Sequence, residues 1–160
     1  MAMADTTLTL DLNSDADTAL RAVQLGRALG AGDTVLLNGS VGAGKTFFAR
    51  ALVKSLLLED EDVPSPTFTL VQTYDTRNGD LWHADLYRIS SDIEIEELGL
   101  SDAMKDAICL IEWPDRLGDY APADALNITL SPGAHDDARQ LTAHWMNGKW
   151  NSRLKDWHNG

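Results

Sequence analysis

The sequence predicts an α/β fold, in which a mixed β-sheet is flanked by helices on both faces. Strand-like and helix-like segments alternate around a glycine-rich loop at residues 39–46, which is typical of a sheet covered by helices. Apolar runs of strand length occur at 34–38 and 107–111, as expected for strands that are buried on both faces. An Asn-Gly pair at 78–79 separates two strand-like segments and predicts a hairpin, so at least one strand pair should be antiparallel.

The elements before the loop follow from periodicity and from capping residues. Residues 6–12 alternate like a short strand. Ser14 is a suitable N-cap for a helix over roughly 15–29, which Gly30 and Gly32 should end. The apolar positions of this helix are assigned to Leu20, Val23, Leu25 and Leu29.

The elements after the loop include a second helix and the hairpin. The helix is predicted over about 45–58, and an acidic turn at 59–62 follows it. Pro64 and Pro66 then hold the next few residues in an extended conformation. The hairpin strands are predicted at 68–74 and 81–87.

The second half of the chain alternates again. Short helices are predicted at 93–98 and 101–106, before the very hydrophobic strand at 107–111. Two late strands are expected near 126–130 and 139–146. The tail, residues 147–160, is polar apart from two tryptophans and a leucine, so a docked helix and a frayed end both remain open.

Composition limits the class of protein. The length of 160 residues, with 44% hydrophobic and 24% charged residues, is that of one soluble domain spanning 1–160. We expect no membrane span and no secretory signal, and the single cysteine, Cys109, fits a buried position in a reducing cytoplasm. The net charge of −12 disfavours direct binding to nucleic acid and is compatible with a basic protein partner or simply with solubility.

The glycine-rich loop carries the strongest functional signal. Residues 39–46, GSVGAGKT, match G-x-x-x-x-G-K-[ST], and they follow an apolar strand and open a helix. Glycines let consecutive N–H groups surround an anion, Lys45 supplies a charge for the β- and γ-phosphates, and Thr46 offers a hydroxyl to Mg²⁺. The alternative is a glycine-rich turn with an incidental lysine. The motif in this context predicts a small P-loop NTPase-like fold that binds a nucleotide, most simply as an ATPase.

An acidic residue at the end of a buried strand is a candidate metal ligand. Glu112 directly follows the apolar run at 107–111, and the carboxyl end of a parallel strand faces the ligand crevice. We therefore expect Glu112 to contact Mg²⁺ directly or through water. The alternative is a surface glutamate that starts a loop.

A second acidic candidate lies in the segment 81–88. With a period of two, its apolar residues share one face, and His83, Asp85 and Tyr87 share the other. Asp85 is a candidate for holding the metal shell or positioning water. A half-buried edge strand with a solvated polar face explains the same pattern equally well.

Two further residues have a functional and a structural interpretation each. Thr67 lies in the Pro-flanked segment 65–68, where many P-loop proteins carry a threonine that senses Mg²⁺ and the γ-phosphate; a rigid turn into a strand is the alternative. Trp113 follows Glu112 and could stack on a ligand or a partner, or simply be buried.

Four motifs occur together in the order and spacing of one family. GSVGAGKT, SPTF, HADLYR and ICLIEW resemble the motifs of the bacterial TsaE (YjeE-type) ATPases, which act in making threonylcarbamoyladenosine in tRNA. The resemblance extends from about residue 12 to about residue 146. It implies binding of ATP/ADP and Mg²⁺, slow hydrolysis of ATP by the protein alone, and an ATP cycle that resets the TsaB–TsaD machinery. TsaD and TsaB are thus the implied partners, and contact with tRNA is implied only through their complex. The implied location is the cytoplasm.

The resemblance also implies roles for individual residues. Asp85, Glu112 and Thr67 are the expected catalytic residues, and Thr46 and Glu112 the expected metal ligands. Ser40-Val41 replaces the usual Asp-Leu of the family loop, so an interaction of that aspartate is lost, and Arg139 stands where the family is rich in arginine. The expected nucleotide-binding set is Val41, Gly42, Ala43, Gly44, Lys45, Thr46 and Trp113.

Other functions are possible for a P-loop chain. A small-molecule kinase usually has an arginine-bearing lid, whereas the 13 lysines and arginines here form no such cluster. A GTP switch would need a guanine-reading N-K-x-D segment, which the sequence lacks. A third alternative is a nucleotide-gated binding module without useful turnover. The sequence does not determine the partner surface, the acid that contacts the metal directly, the source of an arginine finger or the oligomeric state.

Overall fold

A computed structural model describes residues 5–40, 42–66 and 69–158. The first elements in chain order are β1 (Thr6–Leu12), α1 (Asp15–Ala28), β2 (Thr34–Asn38), α2 (Lys45–Leu56), β3 (Val71–Thr76) and β4 (Gly79–Asp85). They are followed by α3 (Asp92–Leu98), α4 (Leu100–Asp106), β5 (Ile108–Glu112), a 3₁₀ segment (Pro114–Tyr120), β6 (Leu126–Pro132), β7 (Arg139–Trp145), α5 (Lys149–Arg153) and α6 (Lys155–His158). None of the helices in these ranges has the length and apolarity needed to cross a bilayer.

The strands form one seven-stranded sheet in the order β1-β7-β6-β2-β5-β4-β3. The four central strands, β6, β2, β5 and β4, are mutually parallel, whereas β1–β7, β7–β6 and β4–β3 are antiparallel pairs. The predicted mixed sheet is therefore confirmed. Parallel neighbours place the carboxyl ends of β2, β5 and β4 at one edge of the sheet, which is where ligands bind in open α/β sheets.

Helices cover both faces of the sheet, as the alternating pattern predicts. On one face, α1 and α2 pack against residues such as Leu37, Leu81 and Leu110. On the other face, α3, α4 and the 3₁₀ segment pack against a second buried cluster that includes Ile111 and Cys109. Cys109 is thus a buried apolar residue, and burial raises the pKa of its thiol to about 12.

Helix α1 begins as predicted but buries a different stripe. The Ser14 hydroxyl accepts a hydrogen bond from the amide of Asp17 at 3.2 Å, which confirms the N-cap. The assignment of Leu20 to the core was wrong, since 51% of that side chain is exposed. Leu25 is buried as expected, and the rest of the buried stripe consists of Thr18, Ala22 and Gly26. Helix α2 approaches closely there, since a Cβ on Gly26 would lie 3.2 Å from Leu52 Cγ.

The predicted hairpin is present with shifted bounds. Its strands join at the Thr76–Gly79 pair, and the positive φ of Gly79, 114°, suits the turn. Strand β3 begins only at Val71, later than predicted, because Leu70 has a positive φ of 69° and closes a turn onto Pro66. Phe68, where the strand was predicted to start, lies outside the described residues.

The described part of the tail is docked on the domain, which decides between the two alternatives. Trp150, Leu154 and Trp157 are all buried in the same core as α1 and α2. The Trp150 indole N–H donates to the Asp124 carbonyl at 2.8 Å, and the Trp157 indole N–H donates to the Arg21 carbonyl at 3.1 Å. Hydrogen bonds from both indoles mean that the burial leaves these polar atoms satisfied.

Candidate functional site

The glycine-rich loop connects β2 to α2 at the carboxyl edge of the sheet. Gly39, Gly42 and Gly44 have φ values of 143°, 83° and 104°, which other residues rarely adopt. A Cβ on Gly39 would also lie 2.5 Å from the Leu130 carbonyl oxygen, so glycine is required there for close backbone approach. Val41, a predicted phosphate-binding residue, lies outside the described residues.

A cleft of about 460 Å³ opens beside this loop. The loop, the start of α2 and the ends of β4 and β5 all contribute to its walls. The lining residues are Gly42, Gly44, Lys45, Thr46, Phe47, Asp85, Tyr87, Glu112 and Trp113. Apart from Ala43, which is buried behind the loop, every described residue of the predicted nucleotide-binding set therefore lines one cleft.

The Lys45 side chain is buried at the base of the loop. Its ammonium group donates a hydrogen bond to the Gly39 carbonyl and lies 3.6 Å from the centroid of the Trp113 ring. Burial lowers the pKa of Lys45, while the nearby carboxylates of Glu112 and Asp85 act in the opposite direction. These carboxylates help to keep a positive charge inside the cleft.

The Glu112 carboxylate is held at both oxygens. Oε1 accepts a hydrogen bond from the Thr46 hydroxyl at 2.9 Å, and Oε2 lies 2.7 Å from His83 Nε2. Glu112 is buried at the end of β5, so the alternative of a surface glutamate is wrong. The sequence pattern gave no role to His83, although the period of two placed it on the same strand face as Asp85.

Asp85 lies beside Glu112, because the two residues are paired in register on the parallel strands β4 and β5. The Asp85 side chain is buried, and its Oδ1 accepts a hydrogen bond from the Tyr87 amide at 3.0 Å. Strand β3 covers the outer edge of β4. The alternative of an edge strand with a solvated polar face is therefore wrong.

The sequence profile described as "Threonylcarbamoyl adenosine biosynthesis protein TsaE" matches residues 12–141, most of the chain. This chain belongs to the TsaE family. The match includes all of strands β2 to β6 and the residues that line the cleft, whereas most of β1 and β7 lies outside it.

Several proteins similar to this TsaE family member carry the name "tRNA threonylcarbamoyladenosine biosynthesis protein TsaE". The one from Rickettsia conorii is 39% identical over 142 residues, which are 89% of this chain and 80% of that protein. The one from Rickettsia bellii is 40% identical and spans 81% of this chain and 89% of that protein. The one from Mycobacterium bovis is 33% identical, with 81% and 82% covered.

A solved structure has the same fold as this TsaE family member. The crystal structure of YdiB from Bacillus subtilis superposes with a TM-score of 0.75 and covers 98% of this chain and 99% of that one. Because the sequence identity is 22%, this likeness concerns the fold alone.

Trp113 adopts a backbone conformation that is unusual for a large side chain. Its φ and ψ are 58° and 53°, and its ring lies 4.9 Å from the Tyr87 ring, between centroids. Left-handed backbone in a non-glycine residue costs of the order of 1–2 kcal/mol. In this conformation the half-buried indole lies against the Lys45 ammonium at the cleft, so Trp113 is not simply a core residue.

Two further residues that the resemblance singles out are Arg139 and Thr67, of which the structure describes only Arg139. Arg139 packs behind the loop, where its Nε donates to the Ala43 carbonyl at 3.0 Å, and it is absent from the residues that line the cleft. Thr67 lies outside the described residues. Within the described ranges, His, Cys, Asp and Glu nowhere form a group of three that could hold a metal ion.

Proposed function

We propose that this TsaE-family protein is a Mg²⁺-dependent ATPase that acts in making N6-threonylcarbamoyladenosine in tRNA. One observation carries the proposal: the loop's Lys45 and Thr46 and the neighbouring strand's Glu112 line one cleft, with the Thr46 hydroxyl 2.9 Å from the Glu112 carboxylate. A cation and an acid–hydroxyl pair beside a glycine-rich loop are the groups that bind a nucleotide phosphate chain and its metal.

The phosphates are proposed to bind at the start of α2. This helix has 12 residues and begins at Lys45, so its first amides and its dipole favour an anion at that end. The Lys45 ammonium would exchange its hydrogen bond to Gly39 for phosphate oxygens. Gly42 and Gly44 would contribute backbone amides, together with Val41, whereas the Ala43 amide would first have to give up its hydrogen bond to the Ser40 carbonyl.

The chemistry of the Thr46–Glu112 pair fits Mg²⁺. Both side chains offer oxygen, and Mg²⁺ is usually held by one or two protein ligands while phosphates and water complete its shell. That preference agrees with the lack of a larger acidic cluster in the described ranges. Bound Mg²⁺ would neutralise charge on the phosphates during hydrolysis.

Asp85 is the proposed group that orients the attacking water. It lines the cleft next to Glu112, and one of its oxygens is fixed by the Tyr87 amide. A carboxylate held in this way can accept a hydrogen bond from water and take its proton. Thr67 is proposed to act from the switch-like segment, and hydrolysis by the protein alone should be slow.

Exposed side chains at the rim of the cleft support the proposal that a partner protein binds there and responds to the bound nucleotide. Phe47 is 43% exposed and Tyr87 is 49% exposed, and both line the cleft. Large exposed apolar side chains beside a ligand mark a candidate contact surface. We propose TsaD and TsaB as the partners, with the ATP cycle resetting the TsaB–TsaD complex in the cytoplasm and tRNA bound only through that complex.

Lys45→Ala should weaken nucleotide binding. Loss of a charge-assisted contact is expected to lower ATP affinity by about 1.5–3 kcal/mol, roughly 10- to 150-fold. Calorimetric titration with ATP and Mg²⁺ measures this effect. Lys54→Ala is the matched control, since Lys54 is exposed on the last turn of the same helix. Equal affinity of both variants would show that the loop does not bind the phosphates.

The biological role is tested in cells depleted of the protein. Threonylcarbamoyladenosine in tRNA, measured by mass spectrometry, should fall on depletion and return with the wild-type gene but not with Lys45→Ala. Unchanged modification after complete depletion would refute the role. Transfer of labelled phosphate from ATP to a hydroxyl acceptor rather than to water would instead favour a small-molecule kinase.

Glu112→Ala should separate metal binding from nucleotide binding. The Mg²⁺ concentration that supports half-maximal hydrolysis is expected to rise by at least about 10-fold, because a metal ligand is lost. Metal-free nucleotide binding, measured in EDTA with a fluorescent ADP analogue, should change much less. The control is Glu97→Ala, an exposed glutamate on α3. Equal effects on both measurements would mean that Glu112 is only structural.

A further inference from the structure

His83 is completely buried beneath the cleft, with 0% of its side chain exposed. It lies on β4, one strand away from Glu112 and two residues before Asp85. Its Nε2 is 2.7 Å from Glu112 Oε2, a distance typical of a charge-assisted hydrogen bond. The histidine lines no wall of the cleft, so it can act there only through Glu112.

The surroundings of the two imidazole nitrogens favour one tautomer of His83. An ionised carboxylate can only accept hydrogen bonds, so the proton must be on Nε2, which faces Glu112. Nδ1 is buried and has no hydrogen-bond partner among the described residues. A proton on Nδ1 would therefore be a buried donor without an acceptor, which is energetically costly. Both facts favour the Nε2–H form, which donates to Glu112 Oε2.

With this hydrogen bond, the two carboxylate oxygens of Glu112 have different environments. Oε2 is held by His83 inside the sheet, whereas Oε1 faces the Thr46 hydroxyl at the cleft. A metal held beside Thr46 would therefore have one carboxylate oxygen, Oε1, available to it. Mg²⁺ requires tight octahedral geometry and readily uses single carboxylate oxygens, whereas Ca²⁺ accepts longer bonds and often binds both oxygens of one carboxylate.

We propose that His83 is a positioning residue that restricts Glu112 to coordination through one oxygen and thereby sets the preference of the site for Mg²⁺ over Ca²⁺. The inference rests on the proposed function, because it requires a nucleotide-bound metal next to Thr46. Hydrogen bonds to ligating groups commonly change metal affinity by about 10- to 100-fold. The selectivity therefore comes from a side chain that never touches the metal.

The test compares Mg²⁺ and Ca²⁺ in supporting ADP binding, without any turnover. A fluorescent ADP analogue is titrated in the presence of each metal, and the ratio of the two affinities is the readout. His83→Phe keeps a buried ring but removes the donor, so this ratio should fall by about 10-fold or more. His83→Gln restores an N–H donor near the Nε2 position and should recover most of the preference.

Cys109→Ala controls for a general loosening of the sheet. Cys109 is buried on β5 but faces the opposite side of the sheet from Glu112, so its loss should leave the metal ratio unchanged. A His83→Phe protein with the wild-type ratio would overturn the inference. A wild-type protein that binds ADP equally with and without metal would instead overturn the proposed metal site itself.

A second measurement determines the tautomer in the wild-type protein itself. Long-range ¹H–¹⁵N correlation spectra of the wild-type protein distinguish imidazole tautomers, and His83→Gln identifies the signal of His83 among the four histidines. The Nε2–H form is expected. An Nδ1–H tautomer could not donate to Glu112 and would overturn the inference.

Discussion

Asp85→Asn is expected to lower the rate of ATP hydrolysis by about 10²- to 10⁴-fold, the usual contribution of a positioned proton acceptor. The amide oxygen of asparagine can still accept the hydrogen bond from the Tyr87 amide, so the backbone at the end of β4 should be preserved. An amide cannot take a proton from water. Single-turnover measurement of phosphate release, with enzyme in excess over ATP and with saturating Mg²⁺, isolates this step.

Nucleotide binding is the matched readout for Asp85→Asn. The affinity for ADP with Mg²⁺ should change by less than about 10-fold, since Asp85 is not proposed to hold the phosphates. Asp80→Asn provides the control variant, because Asp80 is an exposed aspartate at the start of the same strand. Hydrolysis that survives in Asp85→Asn would place the catalytic acid elsewhere.

Trp150→Ala is expected to destabilise the protein by about 3–5 kcal/mol, the range for removing a large aromatic side chain from a core. The indole is completely buried against the domain, and its N–H donates to the Asp124 carbonyl at 2.8 Å. The substitution removes both the apolar contact and this hydrogen bond. Urea unfolding followed by circular dichroism measures the difference in the free energy of unfolding.

Lys155→Ala is the corresponding tail control. Lys155 is exposed on α6, so its loss should change the free energy of unfolding by less than about 0.5 kcal/mol. If Trp150→Ala were equally harmless, the tail would be frayed in solution rather than docked. The tail would then contribute little to the stability of the fold.

The central features of the fold and site were predictable because they follow from local rules. The strand at 34–38, the loop at 39–46 and the helix after it require particular residue types at fixed spacings, and the structure contains all three. The position of Glu112 at the cleft was predicted by the same logic, since an acid at the carboxyl end of a buried parallel strand lies at the edge of the sheet where ligands bind. The Asn78-Gly79 pair likewise predicts a hairpin turn from two neighbouring residues alone.

Other features depend on contacts between distant segments, which local patterns do not encode. Leu20 fits an apolar stripe, yet α1 turns the face with Ala22 and Leu25 toward the core and leaves Leu20 exposed. The tail is buried through contacts of Trp150, Leu154 and Trp157 with core residues from earlier parts of the chain, which a local pattern does not show. The contact between His83 and Glu112 joins two strands that are adjacent in space only after the sheet has formed.

The pairing of β1 with β7 has a consequence for how the chain reaches its native state. The two strands come from opposite ends of the sequence, with Leu10 opposite Leu141, and β1 forms the outer strand next to β7. During translation, β1 must therefore wait until β7, more than 120 residues later in the chain, has left the ribosome before the two strands can pair. Pairings of such long range slow folding, so refolding should be slower than for a helical bundle of equal size.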